Sequence, residues 1–390
     1  MMIYADHAAT TALSKRALAA ALPFLQGEYG NASSAYAFGK RARKAIARAR
    51  RQVADVVGAA ASEIVFTAGG SEGNNTVLRG VAERAWRAGK RAHIVVSAIE
   101  HPSVLAPCRV LERLGARIDY VPVSQEGRVA AESVAAVLSE ETCLVSVMLA
   151  NNEVGTVQDI AAIAELLKER GVPLHADAVQ AVGHIPVDVK ALGVTYLTAS
   201  GHKFGGMKGT GFLWQREGAE LPPLISGGGQ ESGRRAGTEN TAGIVALGEA
   251  LTESVERMQE DAVRLRGLVA YTLQMIEREM PEVRVHGAGG AHLPGILNIG
   301  ISGVRGESLV HLLDLKGICV SAASACSAGT DVPSHVLRAM GYSEREAMEA
   351  LRISYGREST QEDAQRVAEE IVCAVQKIRT LSGRATHAVI

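Results

Sequence analysis

The sequence predicts an α/β protein with a large domain built on a mostly parallel sheet and a smaller α+β domain. Helical and strand patterns alternate from about residue 40 to 215, which is typical of a sheet covered by helices on both faces. After a glycine-rich break at Ser226–Gln230 the pattern changes to one long helix and then mixed short elements. The chain has 390 residues, 47% of them apolar, which is enough for two hydrophobic cores.

The elements of the large domain follow from hydrophobic periodicity and turn residues. The stretch Lys40–Val57 predicts a helix because apolar residues recur at helical spacing, at Ala42, Ile46, Ala49, Val53 and Val56. Glu63–Thr67 predicts a short strand, after which we expect Ser71 to cap a helix that ends near Ala88. Further strands are predicted at His93–Ser97, Ile118–Pro122, Leu144–Leu149, Leu174–Asp177, Tyr196–Ala199 and Gly211–Trp214.

The smaller domain begins within a long helix, Thr241–Met280, for which we expect a bend near residue 258. Strands are then predicted at Val283–His286, Gly295–Ile301 and Ile318–Ser321, with helices at Glu307–Leu315 and Gln361–Ser382. We therefore assign residues 15–257 to the large domain. Residues 1–14 and 258–390 are assigned to the small one.

The composition excludes several classes of function. A formal net charge of −1 provides no basic field for nucleic acid or a membrane surface, and aromatic residues are only 4% of the chain. The five cysteines are odd in number and lack CxxC spacing, which argues against a disulfide framework or a zinc site and for a reducing compartment. The first residues lack a signal-peptide pattern. We expect a cytoplasmic protein without a resident metal.

Informative polar residues follow the predicted strands of the large domain. They are Ser71, His101, Asn152, Asp177 and Lys203. Ligands of open α/β sheets bind beyond the carboxyl ends of the strands, so we expect these side chains to share one site.

Lys203 and Asp177 point to chemistry on a carbonyl cofactor. A lysine in a tight turn of small residues becomes a nucleophile when burial or other cations lower its pKa. An isolated lysine beside a glycine turn is more often a surface residue. A carboxylate such as Asp177 can keep a pyridine nitrogen protonated, although an N-cap of a following helix is an equally good explanation for Asp177 alone.

His101 and the turn Gly69–Ser71, each taken alone, are weaker evidence for a functional site. An imidazole at His101 can stack on a ring and transfer protons, but a loop histidine bonded to backbone is the commoner case. The glycine turn offers backbone N–H groups at a helix start to a phosphate, yet many such turns only begin helices.

Cys326 and Arg352 suggest the substrate. Cys326 lies among serine, alanine and glycine residues, where an exposed thiolate can act as a nucleophile, whereas Cys108, Cys143, Cys319 and Cys373 have apolar settings typical of structural cysteines. Arg352 lies in an apolar strand-like run, so burial requires an anionic partner. That partner is either an amino-acid carboxylate or an internal acidic residue.

These features together resemble the cysteine desulfurases, which are pyridoxal-phosphate enzymes of the class V aminotransferase family. The resemblance covers nearly the whole chain and is closest to the subgroup that serves nitrogenase and general iron–sulfur assembly. The matching segments are 4–11, 150–155, 200–203, 227–231, 234–240, 324–326 and 333–338.

The resemblance implies a fold of the aminotransferase type (fold type I) with a seven-stranded sheet in the large domain. It implies pyridoxal 5'-phosphate attached to Lys203, with Asp177 at the ring nitrogen and His101 stacked on the ring. Asn152 and Gln180 would contact the ring hydroxyl. The phosphate would be held by Gly70, Ser71, Ser200 and His202, and by Thr238 from the second subunit of a homodimer.

The resemblance also implies the reaction. Arg352, beside Asn152, would hold the carboxylate of L-cysteine, and Cys326 on a loop of the small domain would take its sulfur as a persulfide, leaving L-alanine. The sulfur would pass to an acceptor such as an iron–sulfur scaffold protein, with Cys326 a candidate transient cluster ligand. No direct contact with nucleic acid or a membrane is expected.

The sequence departs from the family's usual pattern at several positions, namely Ala32, Tyr36, Met207, Gly300, Ile301, Ala322 and Ala323. None of these changes removes a predicted catalytic group, but they leave the acceptor and the substrate preference open. Two alternatives therefore remain. One is selenocysteine lyase or another class V activity, and the other is a sulfur-relay or scaffold protein without catalysis.

Overall fold

Two sheets of unequal size organise the chain in the computed structural model, which describes residues 2–322, 332–381 and 383. The α-helices, in chain order α1 to α12, are Lys15–Gln26, Ala37–Val57, Gly70–Arg87, Pro102–Arg113, Ala131–Ala135, Ile160–Lys168, Val189–Leu192, Thr241–Glu279, Gly306–Asp314, His335–Ala339, Glu344–Met348 and Gln361–Leu381. The strands, β1 to β13, are Ile3–Tyr4, Ile64–Thr67, His93–Ser97, Arg117–Val121, Thr142–Ser146, Leu174–Asp177, Tyr196–Ser200, Gly211–Gln215, Arg284–Val285, Ile296–Gly300, Ile318–Cys319, Ser321–Ala322 and Ala350–Ser354.

The larger sheet has seven strands in the order β2-β8-β7-β6-β5-β3-β4. Strands β3 to β7 run parallel to one another, and β8 is antiparallel to both β7 and β2. The predicted mostly parallel α/β sheet is therefore confirmed. Parallel pairing places the carboxyl ends of β3, β5, β6 and β7 at one edge, where a site is expected.

Helices cover both faces of this sheet, as buried parallel strands require. One face packs on α2 and the first half of α8, and the predicted stripe of α2 is confirmed because Ala42, Ile46, Ala49 and Val53 are buried. The other face packs on α3 and α4 through residues such as Val77. Helix α2 ends at Gly58, whose φ of 70° lies in the left-handed region that favours glycine.

A second hydrophobic core surrounds the smaller sheet. Strands β12-β13-β10-β9 form an antiparallel sheet, and β1 pairs in parallel with β11. The second half of α8 contributes Leu265, Leu268 and Ile276 to this core, together with α9 and α12. The N-terminal strand thus packs with elements more than three hundred residues later in the chain. The assigned domain boundaries themselves stay predictions.

One local prediction differs from the structure. Helix α3 begins at Gly70, and its N-cap is Gly69 without a side-chain capping bond, so Ser71 is a residue of the first turn rather than the cap. Helix α8 runs through residue 258 as one helix of 39 residues, and the bend expected there stays a prediction. No helix among the described residues is both long and apolar enough to cross a membrane.

Candidate active site

Three of the polar residues that follow strands lie at one edge of the large sheet. Asp177 ends β6, and β6 pairs in parallel with β7 through the register Asp177 to Thr198. The short 3-10 turn Gly201–Lys203 follows β7 directly, and His101 begins α4 four residues after β3. The topology therefore brings side chains from separate segments of the chain to the same edge of the sheet.

The start of α3 forms one wall of a cavity of about 360 Å³ that suits a phosphate group. The cavity is lined by Thr10, Gly69, Gly70, Ser71, Ser200, His202 and Lys208, among others. Gly69 has a φ of 150°, which disfavours other residues, and its side-chain-free N-cap leaves the first N–H groups of α3 directed at this space. A helix start with hydroxyl donors around it is an anion site.

His202 adds a neutral donor to that cavity. Its Nδ1 lies 3.0 Å from the hydroxyl of Thr10, and burial, followed by the charges of Lys203 and Lys208, lowers its pKa to about 4. A neutral imidazole whose Nδ1 accepts from Thr10 keeps a proton on Nε2, which can be donated to an anion. The donor set here thus fits the phosphate of pyridoxal 5'-phosphate.

Lys203 is held at the junction of the large sheet and the N-terminal segment. Its Nζ donates to the carbonyl oxygens of Ala8 (2.6 Å) and Ala9 (2.8 Å). The side chain of Gln180 donates to the same Ala8 oxygen at 3.0 Å, so the structure brings these two predicted residues together. The ammonium is thus fixed by backbone groups rather than extended into solvent, which disfavours the surface-lysine alternative.

Asp177 is a buried carboxylate, and each of its two oxygens accepts one hydrogen bond within the protein. Its Oδ1 accepts from the Val179 N–H at 3.0 Å, and its Oδ2 accepts from the Asn74 side chain at 2.7 Å. The residues that follow form a turn rather than a helix, so the N-cap alternative is wrong. Asp177 is 4% exposed, and its carboxylate keeps lone pairs that could accept from a further donor, such as a protonated ring nitrogen.

His101 is the N-cap of α4, and its Nδ1 is bonded to backbone, as expected for a loop histidine without a catalytic role. That nitrogen accepts from the Ser103 N–H at 3.1 Å and lies 2.8 Å from the Ser103 hydroxyl. Burial lowers the pKa of His101; the Asp177 charge opposes this shift, and the Lys203 charge adds to it. The ring is therefore electrostatically coupled to both predicted cofactor residues.

Arg352 lies in β13 and is almost fully buried, with its side chain 5% exposed. Its Nη2 donates to Asp6 Oδ1 at 2.7 Å and its Nη1 to the Asn152 carbonyl at 2.9 Å. The internal acidic partner left open by the sequence is thus Asp6. The Nε of Arg352 is buried and finds no hydrogen-bond partner among the described residues. A donor of this kind suits an incoming carboxylate.

Two buried acids flank these residues. Burial raises the pKa of Glu153 to about 7, against the opposing hydrogen bond from the Ser334 hydroxyl (2.5 Å) and the Arg352 charge. Burial likewise raises the pKa of Glu100, to about 8, although Ser97 and the Met148 N–H donate to its Oε1. Both acids therefore hold a proton more tightly than an exposed glutamate does.

Cys326, the predicted nucleophile, lies outside the described residues, as do Ala323 and Ser324. Burial raises the pKa of Cys108 to about 12, and burial also raises the pKa of Cys143 and Cys319. Cys373 is exposed on α12, so the expectation of an apolar structural setting is wrong for it. No group of three metal-ligating side chains occurs within the part of the chain that the structure describes.

Thr238 is exposed and does not line the phosphate cavity of its own chain as far as the described residues go. Its predicted role belongs to a second subunit and stays a prediction. The nearby Arg235 pairs with Glu72 in the first turn of α3 at 2.9 Å, which fixes this segment close to the cavity.

Sequence reasoning missed four residues that complete the site. They are Asp6, Thr10, Asn74 and Ser103. Asp6 and Thr10 belong to a segment with family resemblance but no assigned role. Backbone contacts hold this segment beside β13 at Asp6 and beside the turn after β7 at Thr11. Spacing in the sequence could have identified the other two residues. Asn74 lies one helical turn after Gly70, and Ser103 lies two residues after His101.

Comparison with known proteins places this geometry in a family. The family model described as aminotransferase class-V matches residues 3–367. Cysteine desulfurase IscS of Dictyoglomus turgidum is 42% identical over 380 residues, which cover 97% of this chain and 96% of the relative. The relatives therefore align over the whole fold and not over one domain.

Solved structures agree. A structure titled NifS-like protein superposes with a TM-score of 0.90 at 35% identity, covering 97% of this chain and 100% of the other. A structure titled SspA in complex with cysteine has a TM-score of 0.79 at 34% identity, covering 90% of this chain and 98% of the other.

Proposed function

This chain belongs to the class V aminotransferase family and to the cysteine desulfurases within it, and from that premise we propose that it converts L-cysteine to L-alanine with a persulfide on Cys326. The observation that carries the proposal is the meeting of Lys203, Asp177 and the start of α3 at one edge of the large sheet. Pyridoxal 5'-phosphate, when bound there, supplies an electron sink for negative charge on the substrate α-carbon.

Each residue has a role that its contacts support. Ser71, Ser200 and His202 would donate to the phosphate, with the helix start of α3 contributing N–H groups. Asp177 would accept from the protonated ring nitrogen with the lone pairs that Asn74 and Val179 leave free.

The remaining groups act on the substrate. The amine of Lys203 would hold the cofactor covalently at its carbonyl carbon, and the free amine would be the group that moves the α-proton of the substrate. Arg352 holds the carboxylate of cysteine through its Nε edge, beside Asn152. The Cys326 thiolate forms a bond to the substrate sulfur while the carbon–sulfur bond breaks and leaves its electron pair on the β-carbon. The thiolate thereby becomes a persulfide, and a proton added to the β-carbon gives the methyl group of alanine.

We propose that the enzyme works as a homodimer in a reducing compartment and delivers sulfur to an acceptor such as an iron–sulfur scaffold protein. An apolar stripe supports a subunit interface, because Leu18, Leu22 and Leu25 recur on one side of α1 and are 43–57% exposed. Exposed Thr238 is then available to the phosphate of the second subunit.

The test is the stoichiometry of products from cysteine. The holoenzyme should release one alanine per cysteine and acquire one sulfur atom on a tryptic peptide that contains Cys326. A reductant should then release that atom as sulfide. Failure to form alanine from cysteine, with cofactor bound, would refute the proposal, and a strong preference for selenocysteine would favour the selenocysteine lyase alternative.

A further inference from the structure

A continuous chain of hydrogen bonds joins His101 to Asp177 through two residues that have no role in the reaction described above. The Asn74 amide donates to Asp177 Oδ2 at 2.7 Å and to the Ser103 hydroxyl oxygen at 2.8 Å. The Ser103 hydroxyl lies 2.8 Å from His101 Nδ1. Both N–H groups of the amide are thereby used, and each has an acceptor on a different strand-end segment.

The direction of every donor in this chain is determined. The Ser103 N–H is a fixed donor to His101 Nδ1, so that nitrogen is an acceptor and the ring proton is on Nε2. The Ser103 hydroxyl, which receives a donor from Asn74, has its own proton free for the same Nδ1. Turning the Asn74 amide around would place its carbonyl against the Asp177 carboxylate, so the amide has a single favourable orientation.

Asn74 keeps this orientation at a cost. It is 0% exposed, and its Oδ1 is buried without a partner among the described residues. A buried acceptor without a partner destabilises the folded state, which indicates that the two hydrogen bonds donated by Asn74 matter to the site. Gly73 lets α3 pack closely enough on the sheet for Asn74 to contact Asp177. A Cβ at position 73 would lie 2.5 Å from Thr198 Cγ2 and push α3 off the sheet.

We propose that Ser103 and Asn74 are positioning residues that fix His101 in its Nε2-protonated tautomer and couple its orientation to that of Asp177. This inference deepens the proposed function and rests on it. The consequence is that His101 presents an N–H, rather than a bare nitrogen, as its reactive group, and that Asp177 is aligned by the same amide. The charged and titratable groups that act on His101 are Asp177 from β6, Lys203 from the turn after β7 and His335 from α10.

The first measurement uses the apoprotein and does not depend on turnover. Histidine nitrogen resonances are recorded against pH in [15N]histidine-labelled protein, and His101 is assigned from the signals lost in a His101→Gln variant. We expect Nδ1 to resonate as a bare nitrogen and Nε2 as a protonated one. In Ser103→Ala the titration midpoint of His101 should rise by about 0.5–1 pH unit, because a donor to the neutral ring is lost.

Matched variants separate positioning from packing. Ser103→Thr keeps the hydroxyl and should restore the midpoint, and Ser133→Ala, a serine in the first turn of α5, should leave it unchanged. In Asn74→Ala the midpoint should also rise, and the Asn74→Ala/Ser103→Ala double variant should add little to the single ones, as expected of residues acting in one chain.

The second measurement is the holoenzyme's kinetics with cysteine. Ser103→Ala should lower kcat about 3- to 10-fold, because the ring loses a hydrogen bond that orients it, with KM for cysteine little changed. An Nδ1-protonated His101 in the wild type, or a midpoint that Ser103→Ala leaves unmoved, would overturn the inference. An inactive protein whose His101 behaves as described would instead refute the proposed function alone.

Discussion

Replacing Arg352 by lysine tests whether this buried arginine binds substrate or only stabilises the fold. The guanidinium has five N–H donors. One donates to Asp6 Oδ1 and one to the Asn152 carbonyl, while the buried Nε has no partner among the described residues. Nε and the second proton of Nη2 form one edge of the guanidinium that can donate two parallel bonds to a carboxylate.

Lysine at this position keeps the positive charge but loses that edge. Its ammonium has three donors, and Asp6 with the Asn152 carbonyl takes two of them. Losing a charge-assisted bond of about 1.5–3 kcal/mol corresponds to a KM for cysteine about 10- to 150-fold higher. We expect kcat to change little, because the carboxylate contact is the same before and during the reaction.

The assay is the initial rate of alanine formation over a range of cysteine concentrations, with thermal unfolding measured on the same samples. Arg357→Lys is the matched control, since Arg357 is a partly buried arginine that pairs with Glu253 and Asp261. If Arg352→Lys lowers the melting temperature but leaves KM within about threefold of the wild type, the arginine is only an internal ion-pair partner and the reasoning is wrong.

Three further predictions concern the cofactor, a buried acid and the nucleophile. Lys203→Ala should lose the visible absorption of the bound cofactor after dialysis, because the covalent attachment is gone; retained absorption would place the attachment elsewhere. Burial raises the pKa of Glu100 to about 8, so this acid binds a proton more tightly in the folded chain than in the unfolded one. The free energy of unfolding should therefore fall as pH rises from about 4.5 to 8, by on the order of a few kcal/mol. In Glu100→Gln the melting temperature should lose this part of its pH dependence. Cys326→Ala should abolish alanine and persulfide formation while Cys373→Ala, at an exposed thiol, retains both; equal activity of the two variants would exclude the thiol mechanism.

Much of the fold could be predicted because the sequence patterns that indicate helices, strands and turns are local. The period of apolar residues and the turn glycines determine each strand of the large sheet, and the parallel sheet follows from their alternation with helices. The prediction for Ser71 failed because serine is favoured at N-cap positions, whereas here Gly69, with a φ of 150°, is the N-cap and the first N–H groups of the helix have no side-chain cap.

The sequence by itself determined which reactive side chains are present: a lysine in a turn, a carboxylate at a strand end, a histidine, and a thiol among small residues. Only the tertiary structure decided which groups act on one another. The pairing of Asp6 with Arg352 joins residues 346 positions apart, and Asn74 reaches both Asp177 and Ser103 because α3 lies close against β7 at Gly73. Such contacts depend on strand pairing and helix packing, which set the distances between segments, and no local pattern records those distances.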